Sequence, residues 1–227
     1  MVAGRSSIST AFFARKIAVG REASLKYFPK NKCVITGNPI MKSITKVTQK
    51  LKPSSAFTIL VMGGSRGSQF INEEINKIRI KLVAKYKVIH ITGERDYEKY
   101  KNLSTKNYQI ISFVNPIDMA SFYEKSDLVI SRAGANSVSE LISVKKPSIL
   151  IPLPRTFMNE QYENAEYAFK FGIAKVMLEN EVNSESLLAV IETTFANWQK
   201  IVSKVSNKIS PDLCASERVV DLISEYI

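Results

Sequence analysis

Small residues are concentrated in two loops, and each loop follows an apolar run and precedes a helical pattern. The first loop is Gly63-Gly64-Ser65-Arg66-Gly67-Ser68, and the second contains Gly134 and Ala135. Small side chains let backbone N–H groups approach a phosphate, and a helix that begins there adds partial positive charge. The first loop has serines at glycine positions of the dinucleotide-binding pattern and lacks the Gly-Lys-Ser/Thr of a Walker loop. Contact with a phosphate or a sugar is one interpretation, and a tight strand-to-helix turn is the other.

The second loop continues into Ser137-Val138-Ser139-Glu140, which has the form of a helix capping box. In that interpretation the Glu140 side chain reaches back to cap its own helix. The alternative is that Glu140 accepts hydrogen bonds from both ribose hydroxyls of a nucleotide, as acidic residues do in other nucleotide-binding folds.

A third loop, at 152–165, carries three side-chain amides into the first turns of a predicted helix. Asn159, Gln161 and Asn164 can each donate and accept hydrogen bonds, which suits the hydroxyls of a sugar. Helix capping with solvent exposure is the other interpretation.

Acid–base and metal chemistry have few candidates in the sequence. The single histidine, His90, is near the end of a predicted strand and is interpreted as structural rather than as a base. We find no Ser-His-Asp, Cys-His or metal-ligand spacing, so the sequence predicts no metal and no cofactor.

The elements that must position these loops follow from hydrophobic periodicity. Short apolar runs alternate with helical patterns such as Ile71, Ile75, Ile78 and Leu82. One helix between consecutive strands predicts an α/β fold, a parallel sheet with helices on both faces. The predicted strands are 57–62, 87–92, 108–112, 128–131, 148–152 and 173–178, and the last helical stretches are 184–206 and 211–226.

The first 41 residues have a different pattern. A helix around 9–18 and a strand at 33–36 are predicted, and two such elements cannot bury a core by themselves. We interpret 1–41 as the remnant of a preceding domain, 42–55 as a linker and 56–227 as the ligand-binding domain. The final helix would be free to pack back on the N-terminal part.

The composition limits the classes of partner and compartment. Thirty-two Lys and Arg residues against 21 Asp and Glu give a formal charge of +11, which favours anionic partners. The charges are scattered without interleaved aromatics, so a solvated face is favoured over contact with lipid headgroups or nucleic acid. Cys33 and Cys214 form no disulfide framework, which is typical of the cytosol. No apolar stretch is long enough to span a membrane, and the first residues lack the pattern of an export signal, so we expect a protein that neither spans a membrane nor is exported.

In this order, the motifs resemble the bacterial family that adds N-acetylglucosamine to lipid I in cell-wall synthesis, the MurG family. The resemblance rests on Thr36-Gly37-Asn38-Pro39, Gly63-Gly64-Ser65-x-Gly67, His90-x-Thr92-Gly93, Phe113 through Asp118-Met119, Ser131-Arg132-x-Gly134-Ala135, 147–154 and Asn159-x-Gln161-x-x-Asn164-Ala165. It implies a GT-B architecture of two Rossmann-like domains, of which this chain carries the C-terminal one, and UDP-N-acetylglucosamine as the donor substrate.

The resemblance also implies roles for individual residues. Ser65 would contact the phosphate or the sugar, the backbone of Val114 would pair with uracil, Glu140 would bind the ribose and Gln161 the sugar. The complete set of predicted substrate-binding residues is Gly64, Ser65, Arg66, Gly67, Val114, Arg132, Gly134, Ala135, Asn136, Ser137, Val138, Ser139, Glu140, Asn159, Gln161 and Asn164. The family's base would lie upstream of Met1, so no catalytic residue is identified.

Three positions depart from the family's pattern. Met41 stands where an arginine is usual, Arg66 replaces a glutamine and could restore that charge, and Ser7 stands near the family's sugar-contacting asparagine.

These patterns leave three hypotheses of function. The first is an inverting transferase, present as its donor-binding half, that acts with a lipid-linked acceptor at the cytoplasmic face of the plasma membrane. The second is a non-catalytic UDP-sugar-binding subunit or remnant that needs a separate N-terminal polypeptide. The third, a nucleic-acid-binding domain, is favoured by the charge alone and is not expected.

Overall fold

The computed structural model describes residues 4–64 and 66–226. The strands are β1 (Ile17–Val19), β2 (Cys33–Ile35), β3 (Thr58–Met62), β4 (Lys87–Ile91), β5 (Tyr108–Ile111), β6 (Leu128–Ser131), β7 (Ser148–Leu150) and β8 (Ala174–Val176). The α-helices are α1 (Arg5–Thr10), α2 (Lys42–Thr45), α3 (Gln69–Val83), α4 (Glu94–Tyr100), α5 (Met119–Lys125), α6 (Ala135–Ser143), α7 (Glu160–Phe171), α8 (Ser184–Ala196), α9 (Trp198–Val205) and α10 (Ala215–Ser224).

Six strands form one parallel sheet in the order β5-β4-β3-β6-β7-β8. Successive strands run outward from β3 to β5, and the chain then crosses to the other side of β3 to begin β6. This reversal leaves a crevice beyond the carboxyl ends of β3 and β6, where open parallel sheets bind their ligands. The predicted α/β fold and all six predicted strands of the sheet are confirmed, with ends that differ by at most two residues.

Helices cover both faces of the sheet, and alternate residues of each strand point to opposite faces. Ile59 and Val61 of β3 pack with α3, α8 and α9 in one apolar cluster. Leu60 and Met62 pack on the other face, in a cluster that includes residues of α5, α6 and α7. The predicted stripe of α3 is buried at all four of its positions.

Three predicted helices are wrong in extent, and one of them, predicted at 211–226, begins at Ala215 and ends at Ser224. The stretch 184–206 is two helices, because the chain breaks at Asn197 between α8 and α9. The helix predicted at 9–18 ends at Thr10, and residues 17–19 instead form β1, which pairs in parallel with β2 through Ile17 and Cys33. Ile17 and Val19 are β-branched, so they favour the strand once β2 offers a partner.

The segment 42–55, predicted as a linker, packs onto the sheet. Ile44 and Val47 are buried in the cluster that also holds α6 and α7. The Lys50 ammonium lies 2.8 Å from a carboxylate oxygen of Asp127, and the Ser54 backbone N–H donates to the same oxygen at 2.9 Å. The segment therefore contributes to the core of the domain that follows it.

The C-terminal helix contacts the first segment of the chain. Arg218 of α10 donates through Nε to the backbone oxygen of Thr36 at 2.7 Å. In the described part of the chain, none of the helices combines the length and the apolar character needed to cross a membrane.

Candidate functional site

The glycine loop after β3 is compact because two of its glycines lie against backbone. Gly67 has φ +73°, and a Cβ there would collide with the carbonyl oxygen of Thr92; a Cβ at Gly63 would collide with the backbone of Ser68. Gly64 has φ +84° and open space on its Cβ side, so its backbone is accessible to a ligand. Arg66 is exposed beside it, and Ser65 lies outside the described residues.

Ser68 and Arg132 hold this loop against its neighbours. The Ser68 hydroxyl caps α3 by accepting from the Ile71 N–H at 3.3 Å, and it accepts from Arg132 Nε at 3.0 Å. The buried Arg132 guanidinium also donates to the Ile151 carbonyl at 3.1 Å and pairs with Glu179. Its donors therefore join three loops, and a direct contact with substrate stays a prediction.

Helix α6 begins at Ala135, directly after Gly134, which has an extended conformation and gives no side-chain cap. The predicted capping box is therefore wrong, because Ser137 already lies inside the first turn and Glu140 lies in the second. The amides of Ala135, Asn136 and Ser137 are in the first turn, where N–H groups lack intrahelical partners and can bind an anion.

Glu140 is half-buried and lies one turn after Asn136, on the same face of α6. Its Oε2 accepts a hydrogen bond from the Tyr123 hydroxyl at 2.7 Å. Burial raises the pKa of the Glu140 carboxyl, and the hydrogen bond from Tyr123 opposes that rise. The sequence interpretation missed Tyr123, although a tyrosine on the apolar face of a helix needs a partner for its hydroxyl.

The neighbouring residues of α6 have other contacts. Val138 is 3% exposed and packs in the core. The buried Ser139 hydroxyl accepts from Arg21 Nη2 at 3.1 Å and from Asn38 Nδ2 at 3.2 Å. The side chains of these two predicted residues are thus used in packing, and only their backbone is left to meet a ligand.

Arg21 and Asp212 form a buried ion pair that the sequence interpretation missed. Both guanidinium nitrogens Nη1 and Nη2 donate to the Asp212 carboxylate, which also accepts from the backbone N–H of Asn38 at 2.8 Å. The Arg21 guanidinium lies 4.6 Å from the ring centroid of Tyr167. Arg21 thus joins the first segment of the chain to two other parts of the structure. It contacts α6 at Ser139 and the segment before α10 at Asp212.

The loop between β7 and α7 contains three residues with left-handed backbone: Arg155, Met158 and Asn159. Asn159 is exposed and does not cap α7 with its side chain. The Gln161 Oε1 accepts from the Leu153 N–H at 2.9 Å, which orients its amide at the loop. Asn164, by contrast, is 2% exposed and donates to the Ala133 carbonyl at 3.1 Å, so its position favours a structural role.

Val114 follows β5 on the far side of the crevice. Its side chain is half-buried against the apolar cluster that includes α6, while the adjacent Phe113 is 48% exposed. The side chain of Asn115 caps a short 3₁₀ turn by accepting from the Ile117 N–H at 3.2 Å. A pairing of the Val114 backbone with uracil stays a prediction.

His90 is fully buried and hydrogen-bonded at both ring nitrogens. Nδ1 lies 2.7 Å from the Tyr108 hydroxyl, and Nε2 lies 2.9 Å from Asn72 Oδ1. Burial lowers the pKa of His90 to about 4. These contacts agree with the structural role predicted for it. No group of His, Cys, Asp and Glu suited to a metal is found over residues 4–64 and 66–226.

Residues 58–225 match the model of the glycosyltransferase family 28 C-terminal domain. The chain belongs to this family. A Clostridium novyi relative, named UDP-N-acetylglucosamine--N-acetylmuramyl-(pentapeptide) pyrophosphoryl-undecaprenol N-acetylglucosamine transferase, is 31% identical over all of this chain and 64% of its own length. A Bacillus cytotoxicus protein of the same name is 35% identical over 86% of this chain and 57% of its own length. The chain therefore spans less than two thirds of these relatives.

Solved structures agree with this assignment. The crystal structure of Acinetobacter baumannii MurG superposes with a TM-score of 0.73 at 25% identity, covering 99% of this chain and 64% of that one. A Neisseria meningitidis UDP-GlcNAc 2-epimerase bound to UDP-GlcNAc, 18% identical, has a TM-score of 0.63 over 95% of this chain and 62% of its own, and shares the fold. The resemblance to the MurG family and the GT-B-type fold predicted from it are confirmed.

Proposed function

We propose that this chain is the donor-binding part of an inverting transferase that moves N-acetylglucosamine from UDP-N-acetylglucosamine to an undecaprenyl-linked muramyl peptide. The observation that carries the proposal is the arrangement at the strand reversal, where the open Gly64 backbone, the first turn of α6 and the Glu140 carboxylate follow β3 and β6. The names of the curated relatives support the choice of donor and acceptor.

In this proposal each group has a role that suits its chemistry. The amides at the start of α6 and the Gly64 loop bind the diphosphate, Glu140 accepts from the ribose hydroxyls, and the Val114 backbone pairs with uracil. Gln161 uses its accepting oxygen for Leu153, which leaves its amide N–H groups as donors for the sugar.

The reaction would proceed by attack of the acceptor's C4 hydroxyl on the anomeric carbon, with UDP as the leaving group. Negative charge grows on the diphosphate as the bond breaks, and the N-termini of α3 and α6 stabilise it electrostatically. Arg66, exposed on the glycine loop, supplies a cation that Met41 does not. Both ring nitrogens of His90 are occupied and its pKa is lowered to about 4, so we assign it no role as the base.

The acceptor's lipid chain requires this chemistry to occur at a membrane surface. A peripheral position on the inner face of the plasma membrane follows from that acceptor, and the formal charge of +11, although scattered, does not oppose contact with anionic headgroups. The alternative, a donor-binding subunit that is completed by a separate N-terminal polypeptide, uses the same donor site and differs only in where the acceptor binds.

Calorimetric titration with UDP-N-acetylglucosamine tests the donor site. Glu140→Ala should weaken binding by about tenfold or more, since hydrogen bonds to a charged group contribute about 1.5–3 kcal/mol. Glu185→Ala, which removes an exposed carboxylate from α8, is the matched control and should bind like the wild type. Absence of saturable binding to the wild type, or equal affinity of the Glu140→Ala variant, would refute the proposal. Turnover of the lipid-linked acceptor by the chain alone would exclude the subunit alternative.

A further inference from the structure

Tyr123 is a fully buried residue of α5 whose hydroxyl contacts Glu140 of α6. Its ring is 0% exposed and packs in the same apolar cluster as Val138 and Leu141. The hydroxyl lies 2.7 Å from Glu140 Oε2, a short distance for a hydrogen bond between an oxygen donor and a carboxylate. Packing thus fixes the ring, and the ring fixes the point at which the hydroxyl meets the carboxylate.

This contact leaves a defined part of the Glu140 carboxylate available to a ligand. An ionised carboxylate accepts about four hydrogen bonds through two oxygens. Tyr123 occupies one of these positions on Oε2, so Oε1 and the second position on Oε2 stay available. A ribose presents two adjacent hydroxyls, which can donate to these two oxygens when the carboxylate is held in one orientation.

We propose that Tyr123 is a positioning residue, which orients the Glu140 carboxylate so that it accepts from both the 2′- and the 3′-hydroxyl of the nucleotide's ribose. The inference rests on the proposed function, since it requires Glu140 to bind the donor. It adds a group buried behind the site that does not itself touch the ligand.

The ionisation of the two groups supports these roles. Burial, with the charge of Glu140 second, raises the pKa of Tyr123 well above its usual value, so the phenol keeps its proton and stays a donor. The hydrogen bond from Tyr123 opposes the rise that burial causes in the pKa of Glu140. Without the hydroxyl, the carboxylate loses both its fixed orientation and part of the stabilisation of its charge.

The test compares two probes, UDP and 2′,3′-dideoxy-UDP, by calorimetric titration of the wild type and of Tyr123→Phe. The variant should bind UDP about fivefold to tenfold more weakly, the effect of about one hydrogen bond, and bind the dideoxy compound within about twofold of the wild type. In a Glu140→Ala background, Tyr123→Phe should have no further effect on UDP, because the group that it positions is gone.

Tyr108→Phe is the matched control. It also removes one buried phenol hydroxyl with a 2.7 Å hydrogen bond, to His90, and it should lower the affinity for neither probe. Phenylalanine keeps the ring volume in both variants, and urea unfolding verifies that they fold. Equal weakening of UDP and dideoxy-UDP by Tyr123→Phe, or full weakening in the Glu140→Ala background, would overturn the inference. If the wild type binds neither probe, the proposed function is wrong. If the wild type binds UDP more tightly than dideoxy-UDP and Tyr123→Phe shows the same ratio of affinities, only the positioning role is wrong.

Discussion

The buried histidine should make the stability of the fold depend on pH in a range where few other groups titrate. His90 lies on β4 and is 0% exposed. Asn72 Oδ1 can only accept, so Nε2 carries the proton in the neutral ring and Nδ1 accepts from the Tyr108 hydroxyl. Adding a second proton would turn Nδ1 into a donor that faces a hydroxyl and would place a charge in the core. The folded protein therefore resists protonation until the pH is well below the usual pKa of histidine.

The magnitude follows from the two pKa values. The pKa is about 4 in the folded protein, against 6.5 for an unperturbed histidine. A depressed histidine pKa favours unfolding as the pH falls below 6.5, because the unfolded chain binds the proton first. At about 1.4 kcal/mol per pKa unit, the whole difference is about 3 kcal/mol, of which about 2 kcal/mol is lost between pH 7 and pH 5.

Urea unfolding at several pH values measures this loss. The chain has one tryptophan, Trp198, which is 2% exposed and reports unfolding by fluorescence. His90→Gln is the comparison, because glutamine can also donate and accept but does not titrate, and the chain contains no other histidine. The free energy of unfolding of the wild type should fall by about 2 kcal/mol more than that of the variant between pH 7 and pH 5. Parallel curves for the two proteins would refute the assignment of this loss to His90.

Three further predictions use the same unfolding assay. Gly67→Ala should strongly destabilise the fold, because the added Cβ would collide with the Thr92 backbone. Gly64→Ala should cost only about 1–2 kcal/mol, the strain of a left-handed backbone at alanine, and equal costs for the two variants would contradict this reasoning. Asp212→Asn should cost about 3 kcal/mol, because it leaves the Arg21 charge buried without its counter-ion, and a cost near zero would be inconsistent with the pair. Burial lowers the pKa of Lys146 to about 7, so the folded protein releases this proton at a lower pH than the unfolded chain does. The free energy of unfolding of the wild type should therefore rise by about 2 kcal/mol between pH 7 and pH 9, and Lys146→Met should lack this rise.

The sheet could be predicted from the sequence because its information is local. Each strand is a short run of apolar residues, and a single helix separates one run from the next, so both the strand positions and the parallel topology follow. Strand β1 was missed because its three residues, Ile17–Val19, favour a strand only through pairing with Cys33–Ile35. The break at Asn197 was missed because apolar periodicity continues from α8 into α9.

The parts of the candidate site that are formed by backbone groups could be predicted from the sequence. The glycine loop and the start of α6 follow from small residues placed after strands. The capping box was wrong because the sequence does not show whether the helix begins after Gly134 or after Ser137. Composition could not show that Asn164 points into the core, nor that Tyr123 meets Glu140 across 17 residues of sequence. The Arg21–Asp212 pair, 191 residues apart, leaves no local pattern at all.

Two buried arginines flank α6, one just before the helix and one in contact with its Ser139. Arg132, three residues before α6, joins the glycine loop to the ends of β7 and β8. Arg21, from the first segment of the chain, reaches the opposite end of the site through Ser139 and Asp212. A carboxylate such as Asp212, at 1% exposure, is stable only with its counter-ion, so the first segment and the sheet domain depend on each other energetically. The predicted boundary near residue 41 therefore divides the chain by sequence pattern. The helix that carries Glu140, however, has contacts with residues on both sides of that boundary.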